Sequence, residues 1–211
     1  ADAMKEVVIN IVNYPIVQQM SLASSAYPKG VNEFVKAGLT PIPSELVKPF
    51  RVKESIVQME CKVRDIIRTG ETGGAGNIII CEIVLMHIDE SILDENGRPD
   101  PYKMDLVARM GGEYYCRVIP ESIFALAQPK DGSALGIDQL PEYIRNSSIL
   151  TGNNLGQLGV FAHHPTKEEV EAIAHLMRHH MSWQEIELQA KILIDKGEAW
   201  EGFKVLMMKE Y

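Results

Sequence analysis

Residues 55–70, SIVQMECKVRDIIRTG, alternate along their length. Ile56, Gln58, Glu60, Lys62 and Arg64 fall on one side, and Val57, Met59, Cys61 and Val63 on the other. Period two predicts a strand with one wet face. After a glycine turn, GETGGAGN (70–77), the chain returns through IIICEIVLMHID (78–89), a strongly apolar run rich in β-branched residues. Two such runs around a short glycine-rich link predict a β-hairpin. Shorter β-rich stretches stand at EVVINIV (6–12) and LVARMGGEYYCRV (106–118), and DENGRPDP (94–101) carries an Asn-Gly turn signal. Strands joined by turns at this spacing argue for a barrel or sandwich over alternating βαβ units.

The pattern changes along the chain. YPIVQQMSLASSA (14–26) reads as a helix dissolving into a loop, and the prolines and glycines of residues 27–50 keep regular structure there short. Beyond residue 120, DGSALGIDQLPEYIRNSSILTGNNLGQLG (131–159) reads as an extended, loop-rich arm. Thr166 then caps a helix with acids in its first turn and Val170, Ile173, Ala174 and Met177 at helical spacing. A second helix starts at Ser182, with Ile186, Ala190, Leu193 and Ile194 on one face, and 198–211 forms the last. The fold class is mainly β with a helical C-terminal tail: a β domain over 1–120, then a loop arm and helices over 121–211.

The 211 residues are enough to bury a sizeable core. A net charge of −8 argues against a nucleic-acid partner, which needs a dense cationic face. Cys61, Cys81 and Cys116 form no CxxC and no disulfide pattern, which favours a reducing compartment. No apolar run reaches the length of a membrane span, and ADAMKEVVIN lacks the plan of a signal peptide. A cytoplasmic protein without a membrane anchor is the expectation.

Candidate chemistry is sparse. His163 and His164 precede a helix on which His175 and His179 lie four apart, a spacing that can serve a metal. No HExxH and no partner Cys or carboxylate accompanies them, so they read as a solvated polar face and no metal site is expected. GETGGAGN joins two strands and opens no helix, which excludes a phosphate loop. No GxSxG is present, and Glu82 reads as pointing to the open face of its strand. ARMGGEYY (108–115) puts an arginine, two glycines and two tyrosines on one strand, where a flat ligand can approach the backbone closely; a bulge with core tyrosines explains it equally well. A lone histidine at a strand end, His87, is open to both readings in the same way. SAYPKGVNEFVKAGLTPIPS (25–44) is a turn-rich loop with a lysine at its tip, long enough to suggest a function.

Taken in order, SSAYPKGVNEFVKAGLTPIPS, ESIVQMECKVRDI, GAGNIIICEIVLMHID and DLVARMGGEYYCRV resemble the flavin reductase-like family over roughly residues 6–118. The resemblance implies a Greek-key-type FMN-binding split β-barrel and a homodimer that holds FMN at the subunit interface. NADH or NADPH would be the reductant, and a separate monooxygenase a possible partner. It places Ser24, Ser25, Lys29 and Gly30 near polar parts of the flavin, with Asn32, Glu33 and Phe34 anchoring their loop. His87 ends the strand on the nicotinamide side, and Arg109, Gly111, Gly112 and Tyr115 match the strand toward the barrel end. In full-length relatives further strands precede the one matching EVVINIV, so the resemblance implies a chain that starts partway through the domain. No residue is expected to act as an essential acid or base, because the cofactor carries the chemistry. The alternatives are a non-enzymatic FMN-binding module and an interaction scaffold with a helical tail.

Overall fold

The computed structural model describes residues 1–70, 76–126, 128–129, 132–174 and 181–211. Strands are β1 (Glu6–Asn10), β2 (Pro41–Ile42), β3 (Arg51–Val52), β4 (Val57–Arg68), β5 (Asn77–Ile88), β6 (Val107–Gly111) and β7 (Tyr114–Arg117). The period-two run becomes β4, the centre of an antiparallel sheet of order β1-β4-β5. Its register runs from Val57 opposite Ile88 to Arg68 opposite Asn77, with bulges at Glu60/Cys61 and Val63/Asp65. Residues 71–75 of the expected glycine turn lie outside the described residues. β2–β3 and β6–β7 form separate two-stranded ladders, and among the described residues the sheets do not close into a barrel.

The expected wet face of β4 is corrected at two positions. Gln58 and Glu60 are buried, Glu60 without any exposed surface. The segment after β2 packs over that face and brings backbone N–H donors and Arg51 to these side chains, so their polar groups are satisfied inside the fold. Glu82, in contrast, is exposed as expected and pairs with Arg64 across the β4–β5 ladder.

Two helices precede β2. Pro15 opens a single 3₁₀ turn over Tyr14–Ile16 that runs into α1 (Val17–Ala23). In α2 (Glu33–Ala37), the Asn32 side chain accepts from the Phe34 N–H at 3.0 Å. Gly38 ends that helix with φ 65°, a conformation that L side chains adopt only with strain. A one-turn helix, α3 (Pro101–Met104), leads to Asp105, which holds φ 49° without being glycine.

The chain divides into two compact units, Ala1–Phe124 and Ala125–Tyr211. The second carries α4 (Glu142–Arg145), α5 (Gly152–Gly159), α6 (Lys167–Ala174), α7 (Trp183–Asp195) and α8 (Ala199–Met207). Of residues 131–159, expected as an extended arm, the described 132–159 hold two of these helices and give Leu140, Ile144, Leu150 and Leu158 to a core shared with Val170, Ala190, Ile194 and Phe203. Glycines and asparagines make α5 a weak helix in isolation. A capping box between Thr151 and Asn154, with burial of Leu158, overrides that propensity. Ser182 and Glu185 form a second capping box at the start of α7, where the sequence places it. His175 and His179 lie outside the described residues.

Candidate functional site

In the first unit a cleft of about 690 Å³ opens between α1 with its 3₁₀ lead-in and the β6–β7 hairpin. That volume lies within the range of small-molecule sites, roughly 300–1,000 Å³. On the helical side stand Tyr14, Ser21 and Ser24; on the hairpin side, Arg109, Tyr115 and Arg117.

The hairpin explains why its side chains converge. Val107 pairs with Arg117, and Arg109 with Tyr115, so all four project to one face of the ribbon. Gly111 and Gly112 make the turn with φ 106° and 55°, and nothing stands where a Cβ would be. The Gly112 carbonyl accepts from Nη2 of Arg109 at 3.0 Å, so the turn itself holds the guanidinium. Arg117 is fixed more firmly. Its Nε and Nη2 donate to the two Asp105 carboxylate oxygens at 2.7 and 2.9 Å, and its Cζ lies 3.8 Å from the centre of the Tyr14 ring. The Asp105 hydrogen bond raises the Arg117 pKa above its ordinary value.

A second cluster surrounds Glu60. Its carboxylate accepts from the backbone N–H groups of Glu45 at 2.9 Å and Leu46 at 2.6 Å, and lies 2.8 Å from Nε2 of His87. Burial pushes this carboxyl up, but the two N–H donors and the His87 ring outweigh it and bring the pKa down to about 2.

Of the residues singled out by sequence, Ser24, Arg109, Gly112 and Tyr115 meet at the cleft, with Gly111 in the adjoining turn. Ser25, Lys29, Gly30, Asn32, Glu33 and Phe34 are not among the residues that line it. Lys29 and Gly30 form an exposed turn, and Asn32 through Phe34 open α2. His87 is turned toward Glu60 and is also outside the cleft lining. Sequence reasoning missed Tyr14, Asp105 and Arg117. Only Arg117, two residues after Tyr115 on the same strand face, carried a signal that could have found it. Among the described residues no cluster of His, Cys, Asp or Glu is arranged to hold a metal ion. Nor is any helix among them long and apolar enough to cross a membrane.

Comparison with known proteins accords with this architecture. The family model for the flavin reductase like domain matches residues 2–106, and through that domain the chain belongs to the flavin reductase-like family. An uncharacterized protein of Aquifex aeolicus (strain VF5) is 36% identical over 117 residues, 56% of this chain and 58% of that one. Among solved structures, nitrilotriacetate monooxygenase component B from Bacillus cereus is 27% identical with a TM-score of 0.54, over 60% of this chain and 62% of that one. A protein with a split barrel domain from Shewanella frigidimarina NCIMB 400 is 27% identical with a TM-score of 0.50, over 58% and 61%. The chain thus spans less than two thirds of the length of each.

Proposed function

We propose that this protein is an NAD(P)H-dependent flavin reductase that holds FMN in the cleft between α1 and the β6–β7 hairpin. The observation that carries the reading is the convergence of Arg109, Tyr115 and the Gly111-Gly112 turn on a cleft of ligand size, in a chain that belongs to the flavin reductase-like family. The residues fit such a group. An aromatic ring and a cation share one face, and the side-chain-free turn lets a flat ring approach the backbone. Bound FMN would supply the two-electron chemistry between a reduced nicotinamide and an acceptor.

The chain's own part is binding, orientation and exclusion of water. Arg109 and Ser24 offer polar contacts in the cleft, and Tyr115 offers a stacking face. Ser25, Lys29 and Gly30 would reach the polar parts of the ligand from the adjoining loop, which Asn32, Glu33 and Phe34 anchor. His87 would flank the nicotinamide side. No side chain is assigned an obligatory proton transfer. We place the flavin domain at residues 1–120 in a Greek-key-type split barrel, with 121–211 as an appended helical region. We also propose a cytoplasmic homodimer that can serve a partner monooxygenase. The exposed Ile79, Ile83 and Met86 on β5, an edge strand among the described residues, favour burial of that surface by a partner.

The test is direct. Purified protein is titrated with FMN, then the complex is mixed anaerobically with NADH or NADPH while the visible flavin absorbance is followed. Binding with bleaching is the expected result. Binding without bleaching by either nucleotide reduces the protein to a passive flavin module, and failure to bind FMN rejects the reading.

A further inference from the structure

In the second unit Tyr143 and Trp183 meet edge to face, with ring centroids 5.4 Å apart and planes at 78°. The Lys209 ammonium stands 4.7 Å from both centroids. That is inside the roughly 6 Å at which a ring face attracts a cation. Other lysines and arginines of the described residues stand over one ring at most. Here two rings at near right angles form a corner around a single cation.

The walls are set by their own elements. Trp183 is the first residue of α7, where the Ser182–Glu185 capping box fixes the start of the helix. Tyr143 belongs to α4, and its hydroxyl reaches the Leu206 carbonyl at 3.4 Å. Both rings are half-buried against the helical core. Burial and the nearby Glu210 carboxylate push the Tyr143 phenol pKa up, so the ring stays neutral beside an acid. Glu187 lies one turn after Trp183 on the same face of α7 and is only 5% exposed. It has neither a hydrogen bond nor an ion pair among the described residues. A buried carboxylate without a partner favours a cation nearby.

Lys209 is an imperfect occupant. It is exposed, and among the described residues its ammonium has no hydrogen-bond acceptor and no carboxylate partner. Two ring faces cannot satisfy its three N–H donors, so the group must keep its water, and holding a long side chain still costs rotamer freedom. A quaternary ammonium has no N–H to satisfy and covers both rings with methyl groups. We propose that the Tyr143–Trp183 corner binds a small quaternary ammonium compound, with Lys209 as its displaceable internal occupant. The site is built wholly within the second unit and does not rest on the flavin reading.

The experiment labels the full chain with nitrogen-15 and follows the indole N–H signals of Trp183 and Trp200 by NMR. Choline or tetramethylammonium is added at constant ionic strength, and Trp183→Phe assigns the signals. Trp200 packs on Phe161 and Phe203 and serves as the internal control. The Trp183 signal is expected to shift and saturate at concentrations on the order of millimolar, with Trp200 unmoved. Lys209→Ala, which removes the competing ammonium from an exposed position, should tighten binding by about 3–5-fold. Tyr143→Leu should weaken it by about 5-fold or more, while an unchanged Trp200 signal shows that the core is intact. The neutral isostere of choline, with carbon in place of nitrogen, should bind at least about 5-fold more weakly than choline. No shift with either cation, equal binding of the neutral isostere, or both indole signals moving together overturns the proposal. So does an affinity that Lys209→Ala leaves unchanged or weakens.

Discussion

His87 Nε2 lies 2.8 Å from Oε1 of Glu60, a carboxylate with no exposed surface at the bulge of the central strand. The same carboxylate accepts from two successive backbone N–H groups, at Glu45 and Leu46. It therefore ties β5, β4 and the segment after β2 together. Replacing it with glutamine keeps the size but points an amide N–H₂ at groups that need an acceptor. Glu60→Gln should cost about 2–4 kcal/mol. Urea unfolding followed by circular dichroism measures it, and a cost under about 0.5 kcal/mol would rule out a structural role for this network.

The same site sets an acid limit. The Glu60 carboxyl is brought from an ordinary 4.5 down to about 2 in the fold. A lowered carboxyl pKa stabilises the folded state above the unfolded value, and that contribution fades as pH falls through the folded one. The wild-type unfolding midpoint should thus drop between about pH 4.5 and pH 2, and the Glu60→Gln variant should drop less over the same interval. Parallel curves would show that other carboxylates govern acid unfolding.

What the sequence showed of this region, and what it hid, follows from range. The β4–β5 pair was legible because period two and the apolar return are local properties, and the start of α7 at Ser182 because helical spacing of apolar residues is local too. Glu60 was assigned to a wet face because its partners at 45 and 46 arrive from another segment, and alternation carries no information about what will cover a strand. α5 stayed hidden because its glycines and asparagines argue for a loop, and it takes packing of Leu158, added to the Thr151–Asn154 cap, to reverse that. The hairpin residues that line the cleft were singled out as a group through Arg109, the glycine pair and Tyr115. Tyr14 and Asp105 were not, since stacking on Arg117 and gripping it are tertiary relations.

In the second unit, Gly202 marks a close approach of α8 to α7. A Cβ there would sit 2.6 Å from Ile194 Cγ1 and 2.8 Å from the Ala190 carbonyl oxygen. Gly202→Ala gains helix propensity worth about 1 kcal/mol, but overpacking of this severity costs about 1–3 kcal/mol. A backbone carbonyl cannot rotate aside as a side chain can, so the clash should win. Net destabilisation of about 1–2 kcal/mol is expected in thermal or urea unfolding. A stabilised variant would mean that the two helices separate at little cost.

Lys29 and Arg109 separate loop from cleft in the proposed flavin site. Arg109 lines the cleft and is held by the Gly112 carbonyl, whereas Lys29 sits on an exposed turn outside it. Arg109→Ala should weaken FMN binding by about 10-fold or more, the loss of a contact from a fixed charged donor. Lys29→Ala should weaken it by about 2–5-fold, since a flexible exposed ammonium acts mainly through screened attraction. Neither residue is placed to move a proton, so turnover at saturating FMN should stay within about twofold of wild type in both. Dissociation constants from flavin fluorescence, set beside anaerobic reduction rates, give both quantities. If Lys29→Ala lowers turnover at saturating flavin as much as it lowers affinity, the lysine takes part in the chemical step and its role as a binding group is wrong.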